Sequence, residues 1–289
     1  MKKIAVVSGK GGTGKTMVTA GLAEIVKSDL SLADCDVEAS NFELLYPGEL
    51  LSAEDFHGLD VSVIDTEKCV QCGACLENCH FDAVEIKDSL YSVRTLRCEG
   101  CGVCDYLCPS GAISMKKRLS GEIFCSATEA GPLAHARLDP GSGNSGLLVN
   151  EVKKHAARWA NISELLLIDG PPGTGCPLIS TISGMDAVLA VTEPSISGLS
   201  DLSRLVGVCK GFRLRIFVVI NRYDLEESVT HEIEKFCGSE DLIIVGKIPF
   251  DSSVIAAVRR NMPVTRIECP ASDAIKQIWD NLSKELDVA

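Results

Sequence analysis

The chain has 289 residues, 46% hydrophobic and 24% charged, which excludes a disordered or collagen-like polymer and leaves enough apolar surface for a full core. Lys and Arg number 28 against 40 Asp and Glu, and the resulting net charge of −12 argues against non-specific nucleic-acid binding, which needs clustered cations. Fourteen cysteines is far above ordinary usage, and eight of them fall between Cys69 and Cys108. A secreted disulfide scaffold is short and carries a signal peptide. Here the apolar start stops at Ser8-Gly9-Lys10, short of the ~7–15-residue core of a signal, and no run approaches the ~18 apolar residues of a membrane span. The expectation is a cytoplasmic protein, not inserted in a membrane, whose clustered cysteines bind metal.

In chain order, residues 4–8 form a compact β-type run that ends in a glycine-rich loop, and residues 17–26 follow as a buried helix. The rhythm breaks over residues 66–118, which are dense in Cys and Gly and lack a long apolar run. It resumes with a helix over 147–159, a strand over 165–169, a strand over 187–192 and a helix over 200–209. A strand over 216–220, a helix over 228–236 and a strand over 242–245 complete the alternation. Strands alternating with helices predict an α/β fold with a mostly parallel, doubly wound sheet, whose ligands sit at the carboxyl ends of the strands. The predicted organisation is one large domain, 1–65 plus 119–289, with a small α+β domain inserted at 66–118. Acids and bases nearly balance in the insert, so the acidity belongs to the large domain.

Gly9-Lys10-Gly11-Gly12-Thr13-Gly14-Lys15-Thr16 fits G-x-x-x-x-G-K-[ST] between a predicted strand and a predicted helix. Gly11, Gly12, Thr13 and Gly14 let backbone N–H groups turn toward phosphate oxygens, and the helix N-terminus adds positive partial charge. Lys15 is expected at the β- and γ-phosphates and Thr16 at Mg²⁺. Asp169 ends an apolar strand and is placed to hold Mg²⁺ through water. The stiff Pro171-Pro172-Gly173 that follows could sense the γ-phosphate.

The cysteine stretch carries an internal repeat. Cys69-x2-Cys72-x2-Cys75-x3-Cys79 is echoed by Cys98-x2-Cys101-x2-Cys104-x3-Cys108. Paired C-x2-C motifs also bind zinc, commonly as two separated pairs, whereas tandem sets of three close cysteines plus a distal one point to iron–sulfur chemistry. An insert this small has little core of its own, so bound metal is expected to stabilise it. Of the scattered cysteines, Cys209 and Cys237 fall in helical runs and read as apolar filler, and Cys176, seven residues after Asp169, reads as a packing or redox-inert thiol.

Two resemblances rest on these residues. Lys10 beside Gly11-Gly12-Thr13-Gly14-Lys15-Thr16 resembles the deviant Walker A motif of the superfamily that includes MinD, ParA and the nitrogenase iron protein. That likeness implies ATP/ADP with Mg²⁺, ATP hydrolysis, and an ATP-dependent homodimer in which Lys10 reaches the partner's nucleotide. It also makes Asp34-x-Asp36-x4-Asn41 a first switch with Asp36 orienting the attacking water, and places Asn221 and Pro249 beside the adenine. The cysteine repeat resembles bacterial two-cluster ferredoxins, in which the fourth Cys of each run ligates the other cluster. By that likeness Cys69, Cys72, Cys75 and Cys108 hold one 4Fe–4S cluster, and Cys98, Cys101, Cys104 and Cys79 hold the second. The first run departs from the family pattern at His80, where a proline is usual.

Taken together, the chain resembles a MinD-superfamily P-loop ATPase with an inserted ferredoxin domain. That implies nucleotide-dependent dimer switching coupled to electron transfer through two clusters, with a redox or metalloprotein partner. The alternative is an ATP-dependent carrier or assembly factor for iron–sulfur or metal centres, although the C-terminal C-x-x-C of Mrp-type carriers is absent. A MinD-like positioning ATPase is the third reading. Its membrane helix would be basic, whereas residues 272–289 carry Lys276 and Lys284 against Asp273, Asp280, Glu285 and Asp287. The stripe Ile275, Ile278, Trp279, Leu282 and Leu286 is therefore expected to pack on the protein's own sheet.

Overall fold

A computed structural model describes residues 1–27, 29–159 and 163–286, so Asp287 lies outside the described residues. In chain order the elements are β1 (Lys2–Ser8), α1 (Lys15–Val26), β2 (Leu30–Asp34), α2 (Phe42–Leu45), β3 (Gly48–Ile64) and α3 (Ala74–Glu77). Next come β4 (Val84–Lys87), β5 (Leu90–Val93), α4 (Val103–Leu107), β6 (Ile113–Thr128), β7 (Gly131–Leu138), α5 (Ser145–Ala157) and β8 (Leu165–Pro172). The chain continues with α6 (Cys176–Ile182), β9 (Ala187–Thr192), α7 (Ile196–Gly211), β10 (Arg215–Asn221), α8 (Glu227–Ser239) and β11 (Ile243–Ile248). It closes with α9 (Ser252–Arg259) and α10 (Pro270–Leu286).

Nine strands hydrogen-bond in the order β11-β10-β9-β1-β8-β2-β7-β6-β3, and β4 pairs separately with β5. The run from β11 to β7 is parallel throughout, as the strand–helix alternation predicts. β2 and β9 are buried along their whole length and β8 along all but its last residue, which is why they read as unbroken aliphatic runs rather than alternating ones. α10 closes one face. Its Ile275, Ile278, Leu282 and Leu286 are at most 2% exposed, and Trp279 packs against the same core. Each such side chain contributes roughly 1.5–3 kcal/mol of burial. The apolar stripe is thus used inside the molecule. Among the described residues no helix is long and apolar enough to cross a membrane.

The chain divides into two compact units: Met1–Glu54 with Ile123–Arg137 and Ser145–Ala289, and Asp55–Glu122 with Leu138–Asn144. The smaller unit is wider than the 66–118 stretch read from the sequence. The cause is continuous secondary structure. β3 and β6 run on past the cysteine repeat, and the division falls within each of them. These strands escaped the sequence reading because β3 buries few of its residues and shows no regular alternation.

Within the smaller unit the repeat has a constant offset of 29 residues, and it begins before Cys69. Asp65 N donates to Ala112 O at 2.7 Å, and its counterpart Arg94 N donates to Ala83 O at 2.7 Å. Gly73 and Gly102, also counterparts, both hold positive φ (81° and 73°), which lets each loop turn into its short helix.

Candidate functional site

The register of the parallel strands assembles the nucleotide loop. Val6 of β1 and Asp34 of β2 both pair with Asp169 of β8, so two carboxylates lie side by side at the carboxyl ends of neighbouring strands. The loop after β1 wraps over them into α1. Gly14, at φ 90°, is the turn into that helix, and a Cβ there would collide with the Asn221 amide. Gly9 lies so close to Asp201 of α7 that a Cβ would approach its backbone to 2.6 Å.

Inside the loop the predicted residues meet. Lys15 Nζ stands 3.8 Å from Asp36 Oδ2 and 3.8 Å from Asp169 Oδ1. Thr16 Oγ1 donates to Asp169 Oδ2 at 2.6 Å, and Thr19 Oγ1 donates to Asp169 Oδ1 at 2.9 Å. Burial raises the Asp169 carboxyl to about 6, opposed by Lys15 and the two threonines. Burial also raises Asp36, which Lys15 opposes. Thr13 Oγ1 is buried with no protein partner among the described residues. An anion entering the loop would satisfy that hydroxyl and give Lys15 a closer partner than either carboxylate.

Asp34 is the site residue that sequence reasoning underweighted. It is fully buried and organises the segment after β2. Its carboxylate accepts from Asp36 N (3.0 Å), Ser40 Oγ (2.7 Å), Asn41 N (3.2 Å) and Phe42 N (3.1 Å). It thereby fixes Asp36 relative to Lys15 and supports the first turn of α2. The signal was the Asp34-x-Asp36 pair, read for its second member alone.

Two predicted residues have partners within the chain that the sequence does not indicate. Asn221 is 2% exposed, and its Nδ2 donates to Thr13 O at 2.7 Å, so it braces the phosphate loop from below. Lys10 is held by its own chain: Nζ lies 2.8 Å from Glu193 Oε1, 3.1 Å from Ser195 Oγ and 2.9 Å from Ser197 Oγ. Glu193 Oε2 also meets Arg222 Nη1 at 3.2 Å. Pro249 is half-buried at the end of β11, and the neighbouring Phe250 N donates to Asp224 Oδ1 at 2.7 Å, joining the loops after β10 and β11. A cavity of about 300 Å³ borders α1 at Thr16, Met17 and Ala20 and is closed by Leu44, Val254 and Met262. Its wall is mostly apolar, with Thr16, Asn41 and Asn261 as the polar members. Cys176 is exposed at the start of α6, which corrects the packing half of its reading; Gly175 ahead of it is extended. Cys35, Cys125, Cys209, Cys237 and Cys269 are buried.

The second constellation lies in the smaller unit. Cys69, Cys72, Cys75 and Cys108 line one cavity, and Cys79, Cys98, Cys101 and Cys104 line another. On the measure that gives 300 Å³ beside α1, each of these holds about 20 Å³. Ala83 N donates to Cys79 Sγ (3.2 Å) and its counterpart Ala112 N to Cys108 Sγ (3.3 Å). Among the described residues no three His, Cys, Asp or Glu side chains converge as donors to a single metal ion. His80 is exposed and stacks edge-on against Phe81.

Comparison with known proteins bears on the larger constellation. A family model described as the CobQ/CobB/MinD/ParA nucleotide binding domain matches residues 4–264. An uncharacterized protein of Methanocaldococcus jannaschii is 31% identical over 284 residues, covering 98% of this chain and 96% of the relative. An uncharacterized ATP-binding protein of the same organism is 26% identical, covering 95% and 85%. Among solved structures, the septum site-determining protein MinD of Pyrococcus horikoshii, complexed with Mg-ADP, superposes with a TM-score of 0.59 at 20% identity, covering 99% of this chain and 97% of that one. The strand order, the loop between β1 and α1 and the family match agree: the chain belongs to the CobQ/CobB/MinD/ParA nucleotide-binding domain family.

Proposed function

We propose that this chain is a nucleotide-driven iron–sulfur switch. Its larger unit binds and hydrolyses ATP and dimerises on ATP, and the cycle governs electron transfer through two 4Fe–4S clusters to a redox or metalloprotein partner. The observation that carries the reading is the crossed gathering of cysteines, in which each cavity takes three thiols from one run and the fourth from the other. That is the ligand pattern of two-cluster ferredoxins. A single tetrahedral zinc would draw its thiolates to within about 3.8 Å of one another, given Zn–S near 2.3 Å. Among the described residues no three of these thiols converge on one ion, which suits a wider, multi-atom group. When bound, such clusters supply one-electron transfer.

The remaining roles belong to the chain's own residues. Gly11, Gly12, Thr13 and Gly14 offer the backbone of the loop to phosphate oxygens, and the unpartnered Thr13 hydroxyl adds a donor. Lys15 binds the β- and γ-phosphates. Thr16, already paired with Asp169, is placed to ligate Mg²⁺, with Asp169 acting through water. Asp36, fixed by Asp34, orients the attacking water. Lys10 serves a partner's nucleotide once released from Glu193. The ATP-binding relative and the Mg-ADP complex of the MinD neighbour support the choice of nucleotide.

Anaerobic purification with iron, sulfide and zinc analysis, EPR after reduction, and titration with a fluorescent ATP analogue tests the reading. The expected result is about eight iron per chain, as two four-iron clusters require, together with Mg²⁺-dependent binding that Lys15→Ala abolishes. Clusters that survive repeated reduction without releasing iron separate electron transfer from cluster delivery. A colourless, zinc-loaded protein would overturn it.

A further inference from the structure

The 29-residue offset pairs most wall positions of one cysteine cavity with wall positions of the other; Gln71, Gly73 and Asn78 answer instead to Gly100, Gly102 and Leu107, which line neither cavity. Ile64 answers to Val93, Ala112 to Ala83, and Ile113 to Val84. Of the pairs that line both cavities, three are chemically unequal. Tyr91 on the Cys69–Cys72–Cys75–Cys108 cavity corresponds to Ser62 on the other; Val70 corresponds to Glu99; and Ser110 corresponds to Phe81.

Ser62 is the strongest of the three. It lies on β3 and is 3% exposed. Its Oγ is 2.9 Å from Cys104 Sγ and 3.9 Å from Cys98 Sγ, and its backbone N donates to Cys98 Sγ at 3.5 Å. Oγ also lies 3.4 Å from Met115 Sδ, a weaker acceptor than a thiolate. On the other cavity the nearest analogue is Ser110 Oγ, 3.7 Å from Cys108 Sγ, a long contact from a half-buried residue. Tyr91 places a ring at the Ser62 position and donates to none of the four sulfurs among the described residues; its hydroxyl lies toward Gly73. Glu99 acts in the opposite sense, because a carboxylate disfavours added negative charge, but it is exposed and water screens it. A buried hydroxyl in direct contact with a ligand sulfur outweighs it.

We propose that Ser62 makes the two metal sites unequal: with its hydroxyl donating to Cys104 and its backbone N–H to Cys98, it raises the reduction potential of the cluster held by Cys79, Cys98, Cys101 and Cys104 above that of its twin. The proposal rests on the iron–sulfur reading above. A hydrogen bond to a ligand sulfur stabilises the extra negative charge of the reduced form, which raises the potential. One such bond, worth about tenfold in the equilibrium, corresponds to about 59 mV for a one-electron couple. Electrons entering the pair therefore reside first on the Ser62 side. The lower-potential site is the one that carries Tyr91 at the position of Ser62.

The test is an EPR-monitored redox titration of the anaerobic full-length protein, with iron content measured on each sample. The wild type is expected to show two one-electron waves separated by at least about 59 mV. Ser62→Ala is expected to lower the upper wave by about that amount and leave the lower wave in place, while Ser62→Thr restores it and Ser110→Ala moves the lower wave less. Two coincident waves in the wild type overturn the proposal even if Ser62→Ala fails to hold its clusters. So does a Ser62→Ala protein with full iron and both waves unmoved. Absence of iron from the wild type is a different outcome, which removes the iron–sulfur reading itself.

Discussion

Replacing Asn221 with Ala separates two roles for one residue. If Asn221 serves only the adenine, the apo protein should be as stable as wild type and nucleotide binding alone should weaken. The structure points to a brace, since the amide is buried and donates to Thr13 O at 2.7 Å. Losing a buried hydrogen bond and stranding its carbonyl costs about 2 kcal/mol. For a unit of this size that lowers the melting temperature by about 4–8 °C. Because Thr13 and Gly14 then lose their support, nucleotide affinity should fall as well. Urea or thermal denaturation of apo wild type and Asn221→Ala, beside ATP-analogue titrations of both, provides the assay. Unchanged apo stability together with lost affinity would refute the brace.

Three further outcomes are expected. Glu193→Gln removes the charge that holds Lys10; for a pair this exposed the gain in ATP-dependent dimerisation should be about two- to fivefold, and sedentation-velocity runs with a non-hydrolysable analogue that show an unchanged or weaker dimer would contradict it. Burial lowers the affinity of His135 and His155 for a proton, each against an opposing carboxylate, Glu43 and Glu54. An unfolded chain, with histidines near the ordinary 6.5, binds protons that the native state refuses, so the contribution of these two histidines is full above about pH 6.5 and is lost as the pH drops toward the lowered native values, while Asp169, raised to about 6, contributes in the opposite sense. Denaturant midpoints between pH 8 and 5 for the wild type and for His135→Gln with His155→Gln check the sign: the difference between the two should shift in favour of the variant as the pH falls. Finally, Cys69→Ala and Cys108→Ala, though 39 positions apart, should each cost the same four of about eight iron atoms, and the double variant no more. Loss of both clusters in the double variant would argue against the crossed ligand sets.

The parts legible in the sequence were those whose chemistry needs a fixed spacing. The loop from Gly9 to Thr16 and the aliphatic strands around it were readable because backbone turns and fully buried strands impose strong local patterns. The cysteine sets were readable because the repeat is written in one residue type. What escaped depends on tertiary placement. Asn221 looks like a turn residue until β10 brings it beneath Thr13, 208 positions away. Asp34 looked like a companion of Asp36 until its four hydrogen bonds were visible. Ser62 lay outside the boundary drawn at residue 66, because the extended repeat is structural there, with Ser opposite Tyr and Asp opposite Arg. Cys176 was misjudged because nothing in Gly175-Cys176-Pro177 says which way the first residue of α6 faces.

The coupling of nucleotide to cluster is tested most directly by the same EPR-monitored titration run with and without Mg-ATP, in wild type and in Lys15→Ala. The expected result is a shift of at least one wave by Mg-ATP in the wild type and none in Lys15→Ala. Superimposable titrations of an iron-replete wild type that demonstrably binds ATP would contradict it.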